Sequence, residues 1–550
     1  MTALELAPLD ISLDGPRPAP PDPRRGLVRR VAGWLLGHKV DVALVTVLTL
    51  VGALVHAIGM TGSPARFDDE GTYTAYAWAV QNWHTLGHYT YWYAHPPLGW
   101  LQISAWTWVT DGFDRAPYAV AAVRELMFVA KLVSIVLLYG LGRRLGFGRL
   151  GAAAAVAIFA LSPLAVYFTR AALLDNIVTP WLLAAFFFAA SPRRSVAAAV
   201  ASAASFAVAV LTKETALLYL PALVLLLWQH TDRRNRRFTL GLFGATFTVL
   251  CAGYPLYAVL KNELLIGEGH VSLLWAVRWQ LFERTGSGSI FDPGSTAHAV
   301  LHSWLVQDSW LPKLALAAVV PGLLIRRTRA VAAAFAIQVA QLLRGGYLPY
   351  PYVIAMIPFA ALTVGGVLGW LWHPGGAGWM AVRWAAIPWA AVRRGWRACL
   401  VVACVAAVVV VGQAWRPALA DLRTNDRDAG KAQALAWVRA NVPTSAYVVV
   451  DDAYWVDLVR AGYPADHVIW FTKLDVDKDV KLPGSPPWKG IDYLLLDQQD
   501  DLSLHVQADG KPSKDTLRLF LTVGEALRHA RPVARFGVGL DSVSIRQVVP

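Results

Sequence analysis

A polytopic α-helical membrane protein of about eleven spans, with a small soluble α/β domain at its C-terminus, is the fold class this sequence predicts. Three observations carry that prediction. Hydrophobic residues make up 56% of the chain and charged residues only 16%. Apolar runs of roughly 17–25 residues recur along it, the length that crosses a bilayer as a helix. Arginines gather in short connections between the runs, as the positive-inside rule asks of cytoplasmic loops. The formal net charge of +13 therefore reports membrane topology and not nucleic-acid binding.

The N-terminal arm, 1–39, is Pro-rich and reads as disordered, basic and cytoplasmic. Arg24, Arg25, Arg29 and Arg30 precede the first span, at about 40–60. That span is too long for a removable signal peptide and lacks a small-residue cleavage site, so it is an anchor running outward. The first external loop, 61–118, follows. Within it, Tyr73, Tyr76, Ala77 and Val80 fall at helical spacing, which predicts an amphipathic helix over 69–84. A second, Trp-rich helix over 100–109 suits the membrane interface.

Further spans are expected at about 119–141, 150–169, 173–190, 196–212, 215–230 and 238–260. Arg143-Arg144, Arg193-Arg194 and Arg233-Arg234 all fall in loops that this count places in the cytoplasm. A second external loop, 261–303, precedes spans at about 304–325, 329–343 and 349–372. A basic linker, 373–397, and a last span at about 398–415 close the membrane domain, 40–415.

Residues 416–550 are a different material, expected outside the cytoplasm. A helix over 428–441, strands over 447–450, 467–471 and 491–496, a helix over 515–530 and strands within 533–546 describe a small α/β domain. Asp451-Asp452 reads as a solvated strand end rather than a ligand site. There is no Gly-rich phosphate loop. Cys251, Cys399 and Cys404 all lie in apolar runs and form no redox or metal motif.

The chemistry concentrates at external ends of spans. Asp68, Asp69 and Glu70 follow span one, and His95 precedes Pro96-Pro97-Leu98 in the same loop. Arg170 and Asp175 flank the next external turn, Lys213-Glu214 the one after, and Arg344 with Tyr347 follow span nine. Singly, each has a plain explanation: Arg170 and Lys213 could snorkel, Asp175 could cap a helix, and Tyr347 could anchor the interface. Together they are harder to dismiss, because unpaired charges at such depth are costly. Carboxylates beside a cationic, Tyr-rich pocket suit transfer of a group from an anionic lipid. The cations neutralise a phosphate leaving group, and a carboxylate takes the proton of the attacking hydroxyl.

Asp69-Glu70-Gly71-Thr72-Tyr73, His95-Pro96-Pro97-Leu98-Gly99-Trp100, the stretch from Arg170 to Asp175 and Leu211-Thr212-Lys213 resemble the GT-C glycosyltransferases. The branches most similar are the lipid A aminoarabinose transferases and the protein O-mannosyltransferases, over roughly residues 40–370. The resemblance implies a GT-C-like membrane domain in a bacterial plasma membrane, using a polyprenyl-phosphate sugar donor, membrane lipid and an extracytoplasmic acceptor. It implies that Asp69 is the base, with Glu70 and Asp175 shaping the site, and that Lys213, Arg170 and Arg344 meet the phosphate. Tyr73 and Tyr347 would line the sugar and lipid pocket.

Two departures stand out. His95 takes the place where the aminoarabinose branch usually carries Lys, and His is mostly neutral at pH 7. Asp68 before Asp69 leaves the register of the base open by one residue. Some members of the superfamily need a divalent metal, for which Asp69 and Asp175 are the oxygen ligands on hand for Mg or Mn. A flippase or transporter of lipid-linked sugars is the alternative function, although the internal repeat typical of transporters is not evident.

Overall fold

A computed structural model describes residues 37–67, 69–89, 93–267, 271–284, 286–372, 389–477, 479–498 and 520–549. The N-terminal arm lies almost wholly outside the described residues, as do Asp68, most of the linker 373–397 and the start of the helix expected over 515–530. What is described is mostly helical, with one small sheet near the C-terminus.

Helix α1 (Lys39–Ala57) leads to α2 (Asp69–Asn82) and α3 (Leu98–Val109), the two helices expected in the first external loop. Then follow α4 (Ala119–Arg144), α5 (Gly148–Leu161), α6 (Pro163–Arg170), α7 (Leu174–Ala189), α8 (Val196–Thr212) and α9 (Leu220–His230). Next come α10 (Arg236–Cys251), α11 (Gly253–Leu260), α12 (Thr296–Gln307), α13 (Trp310–Leu324), α14 (Arg329–Leu343), α15 (Val353–Trp372) and α16 (Trp389–Thr424).

Among the described residues, four helical stretches are long and apolar enough to cross a membrane: Lys39–Ala57, Arg236–Leu260, Tyr350–Trp372 and Arg394–Asn441. The bent pair α5 and α6 makes a fifth, and α7, α8, α13 and α14 are shorter apolar helices. These four shorter helices run 16, 17, 15 and 15 residues, below the ~20 of a full span. The chain is thus a multi-pass membrane protein, and its helices do not by themselves fix the expected number of spans. Large apolar side chains such as Leu54, Phe238, Val402 and Val408 stand exposed on α1, α10 and α16, as lipid-facing surfaces do.

Two expected spans are broken. The stretch expected as one helix over 150–169 bends by 59° between α5 and α6. Ser162 caps α6 by accepting the Ala165 N–H, and Pro163 has no N–H to continue α5. The stretch over 304–325 stops at Asp308, whose Oδ1 accepts the N–H groups of Trp310 and Leu311 at 2.8 and 3.1 Å and so starts α13. Elsewhere the helices pack closely. A Cβ on Gly151 of α5 would lie 2.5 Å from the Gly365 carbonyl oxygen of α15, and one on Gly365 only 2.4 Å from that of Gly151. Such backbone contact holds helices together where lipid supplies no hydrophobic drive.

The C-terminal part contains α17 (Ala429–Asn441), β1 (Val448–Val450), α18 (Trp455–Arg460), β2 (Val468–Trp470), β3 (Tyr493–Asp497), α19 (Leu521–Arg528), β4 (Ala530–Phe536) and β5 (Val543–Val548). The strand order is β2-β1-β3-β5-β4. β1 runs parallel to β2 and β3, while β5 runs antiparallel to β3 and β4. All of Val448–Val450 is buried, as parallel strands covered on both faces are. Val449, Ile469, Leu494 and Leu496 form one apolar layer with Val523 and Leu527 of α19.

The end of β1 is not solvated, contrary to the sequence expectation. Asp451 and Asp452 are 2% and 8% exposed. The reason is that α2 lies against them: a Cβ on Gly71 would sit 2.1 Å from the Ala453 nitrogen. Only glycine permits that approach.

Candidate active site

The cavity begins with the way the chain holds the start of α2. Arg66 is fully buried, and its backbone N–H and Nε each donate to Asp428 Oδ1 at 3.0 Å. Its Nη1 reaches Asp457 Oδ2 at 3.3 Å, and its guanidinium lies 4.2 Å from the Tyr118 ring centroid. Glu70 is fully buried as well. Arg124 Nη2 donates to its Oε1 at 2.6 Å and Arg124 Nε to its Oε2 at 2.9 Å. The Ala172 N–H also donates to Oε2, at 2.6 Å. A bidentate, charge-assisted pair of this kind is strong and directional. Residues on both sides of Asp69 are therefore locked. Asp69 itself is half-buried and has no hydrogen-bond or ion-pair partner among the described residues.

Asp69 opens into a cavity of about 630 Å³. Tyr73, His95, Lys213, Arg344 and Tyr347 line the same space, so distant segments of the chain converge there. Lys213 follows α8 in extended conformation, and its ammonium donates to Asp175 Oδ2 at 2.7 Å. Burial is the largest influence on Lys213 and opposes its charge, but Asp175, joined by Asp69 and Glu214, raises the pKa on balance. His95 Nδ1 lies 2.8 Å from Glu214 Oε2. Burial would raise the Glu214 pKa, yet His95 and Lys213 together hold it below the usual carboxylate value. The Tyr73 and His95 rings are 6.3 Å apart.

Several lining residues lie outside the sequence-predicted set. Arg284 stacks over the Tyr347 ring at 3.4 Å and donates to Gln280 Oε1 at 2.8 Å. Asp452, Trp470 and Lys473 enter the cavity from the C-terminal part, where the Thr72 hydroxyl donates to Asp452. Burial lowers the Lys473 pKa against the opposing pull of Asp477 and Asp452. A sequence signal for this wall existed: ligands gather beyond the carboxyl ends of parallel strands, and Asp452 and Lys473 follow β1 and β2.

Three expected site residues do not line the cavity. Glu70 is spent on Arg124, as described above. Arg170 is equally committed: Nη1 donates to the carbonyls of Ser63 and Leu422, and Nη2 to those of Val55 and Ile58, at 2.7–3.0 Å. A phosphate would have to strip those bonds, so Arg170 holds backbone rather than an anion. Asp175 reaches the cavity only through Lys213. Asp68 lies outside the described residues.

A divalent metal does not fit the donors expected for it. Asp175 already bears the ammonium of Lys213 at 2.7 Å, and a cation there would meet like charge. Among the described residues, no three His, Cys, Asp or Glu groups come together as a metal-binding set.

Residues 95–256 match the family model for dolichyl-phosphate-mannose-protein mannosyltransferase. That segment includes His95, Asp175 and Lys213 but not Asp69. A search of curated proteins finds no match. Among solved structures, ArnT from Cupriavidus metallidurans bound to undecaprenyl phosphate is similar at a TM-score of 0.51 and 18% identity, covering 94% of this chain and 98% of that one. The oligosaccharyltransferase AglB from Archaeoglobus fulgidus, in complex with an inhibitory peptide and a dolichol-phosphate, gives a TM-score of 0.56 at 12% identity, over 94% of this chain and 77% of that one. At such identities the likeness is one of fold, which this chain shares with these two structures over 94% of its length.

Proposed function

We propose that this protein transfers a sugar from a polyprenyl-phosphate donor to a hydroxyl of an extracytoplasmic acceptor, with inversion at the anomeric carbon. One observation carries the reading. Asp69, a cavity carboxylate without a partner among the described residues, shares its cavity with Arg284 and Arg344, which have no carboxylate partner there either. In the proposed step, Asp69 takes the proton of the acceptor hydroxyl, and the oxygen attacks the anomeric carbon from the face opposite the phosphate. The bond from that carbon to the phosphate oxygen breaks, and its electron pair leaves with the phosphate. Arg284 and Arg344 stabilise the charge that develops there. Lys213, neutralised by Asp175, adds a hydrogen-bond donor at the same end, while Tyr73 and the His95–Glu214 pair orient the sugar. Structural neighbours solved with undecaprenyl phosphate and dolichol-phosphate support this class of donor.

In this reading the cavity faces away from the cytoplasm of a bacterial plasma membrane. Residues 40–415 form the membrane-embedded part and 416–550 an extracytoplasmic domain. The test is incubation of purified protein with polyprenyl-phosphate sugars labelled in the sugar. Transfer releases unlabelled polyprenyl phosphate, and Asp69→Asn lowers the rate by about 10²–10⁴, the usual contribution of a general base, while donor binding persists. Movement of the intact labelled lipid across a vesicle, with no phosphate released, would overturn the reading in favour of a transporter.

A further inference from the structure

A second cavity, of about 600 Å³, lies on the other side of β2. Three separated segments build it: the loop 83–89 after α2, the end of α11 at Tyr257 and Lys261, and the stretch around β2 from Ala465 to Val480. Its wall combines Trp83 and Tyr257 with Lys261, Glu263, Asp466 and Asp479. Aromatic rings beside hydrogen-bonding carboxylates and one ammonium suit a ligand that presents apolar C–H faces and many hydroxyls. The volume falls in the range, roughly 300–1,000 Å³, that holds a compact organic ligand.

The loop 83–89 is rigidly seated. The His88 ring packs at a tilt against Trp455 at 3.8 Å and Tyr89 at 3.9 Å, and Trp83 meets Trp78 and Trp455 edge-on. β2 is an edge strand, yet its backbone is not open to a peptide. Tyr89 Oη accepts the Trp470 N–H at 3.0 Å and donates to the Val468 carbonyl at 3.5 Å. An extended peptide would need those groups to add itself as a strand, so a saccharide is the better occupant. The two cavities are neighbours: Ile469 and Tyr89 line this one and Trp470 the one holding Asp69, and the Tyr89 and Trp470 rings are 5.0 Å apart.

We infer that this second cavity is a binding subsite for a short stretch of an oligosaccharide acceptor, held while its end is presented at Asp69. The inference rests on the proposed transferase reading, but its test does not. Fluorescently labelled linear pentasaccharides of mannose, arabinofuranose and galactose are titrated into the full-length protein in detergent, without donor. At least one binds, and Asp466→Asn and Trp83→Ala each weaken it about tenfold or more. Asp466 is exposed, so its isosteric variant keeps the fold even if Trp83→Ala does not. No binding by the wild-type protein, or equal binding by Asp466→Asn, overturns the subsite. Binding of an extended peptide in place of the sugars overturns it too. Saccharide binding without release of lipid phosphate from donor sustains the subsite and overturns the transferase reading, and release without binding does the reverse.

Discussion

Glu70→Gln separates a residue that holds the cavity together from Asp69, the proposed base. Neither Glu70 nor Arg124 has any exposed side-chain surface, and they are 2.6 Å apart at the nearest atoms. The amide keeps the shape but removes the charge, and it turns an amino group toward a guanidinium that can only donate. Removing one member of a buried pair costs about 3–5 kcal/mol. Arg124 keeps its bonds to the carbonyls of Met60 and Pro64 at 3.1 and 2.9 Å, so the lower end, about 3 kcal/mol, is the expected loss. That is roughly a hundredfold in the folded-to-unfolded ratio. The assay is thermal unfolding in detergent followed by tryptophan fluorescence, paired with donor turnover at low temperature. The midpoint should fall clearly, while turnover by the folded fraction drops much less than in Asp69→Asn. An unchanged midpoint with turnover lost as completely as in Asp69→Asn would refute the argument and make Glu70 the base.

Other expectations follow from the same geometry. Burial lowers the His88 pKa to about 3 from 6.5, so the unfolded chain takes up a proton that the folded chain refuses between those values. Stability therefore falls as pH drops from about 6.5 toward about 3. His88→Phe, which keeps the ring between Trp455 and Tyr89, should flatten that slope of unfolding midpoint against pH. Gly71→Ala should destabilise the protein by several kcal/mol, because its Cβ would meet the backbone of Asp452 and Ala453 within 2.4 Å. Limited proteolysis would then cut the C-terminal part faster than in the parent. Arg344→Gln should raise the KM for the lipid donor about tenfold or more, with a smaller effect on acceptor binding, as loss of a charge-assisted bond to phosphate predicts.

The small C-terminal sheet was legible because its strands are short β-branched runs between Asp, Pro and Gly. β1, β2 and β3 fall within about two residues of the expected positions. Helix α2 was legible from helical spacing, and α3 from its Trp-rich run. The break at Asp308 was not, since a single acid in an apolar run gives no periodicity signal. Its reason is tertiary: Asp308 also accepts from the Ser162 hydroxyl at 2.6 Å and from Trp415 Nε1 at 2.9 Å. Local clustering picked out Asp69, His95 and Lys213, which line the cavity, but could not tell a charge already paired from one without a partner. Glu70 and Arg170 look as available as Asp69 until their partners 54 and 252 residues away are known. Arg284, Asp452 and Lys473 were missed for the same cause, because each belongs to the cavity only after the chain has closed on itself.

The seat of Gly71 beneath Ala453 sets an order of events during synthesis. Asp69 leaves the ribosome long before Asp452, Trp470 and Lys473, and chains fold in roughly that order. Until those later residues arrive, the hollow around Asp69 lacks one wall, and its carboxylate stands open to water. A nascent chain already inserted in lipid therefore carries an incomplete cavity, which is closed only when the final sheet docks.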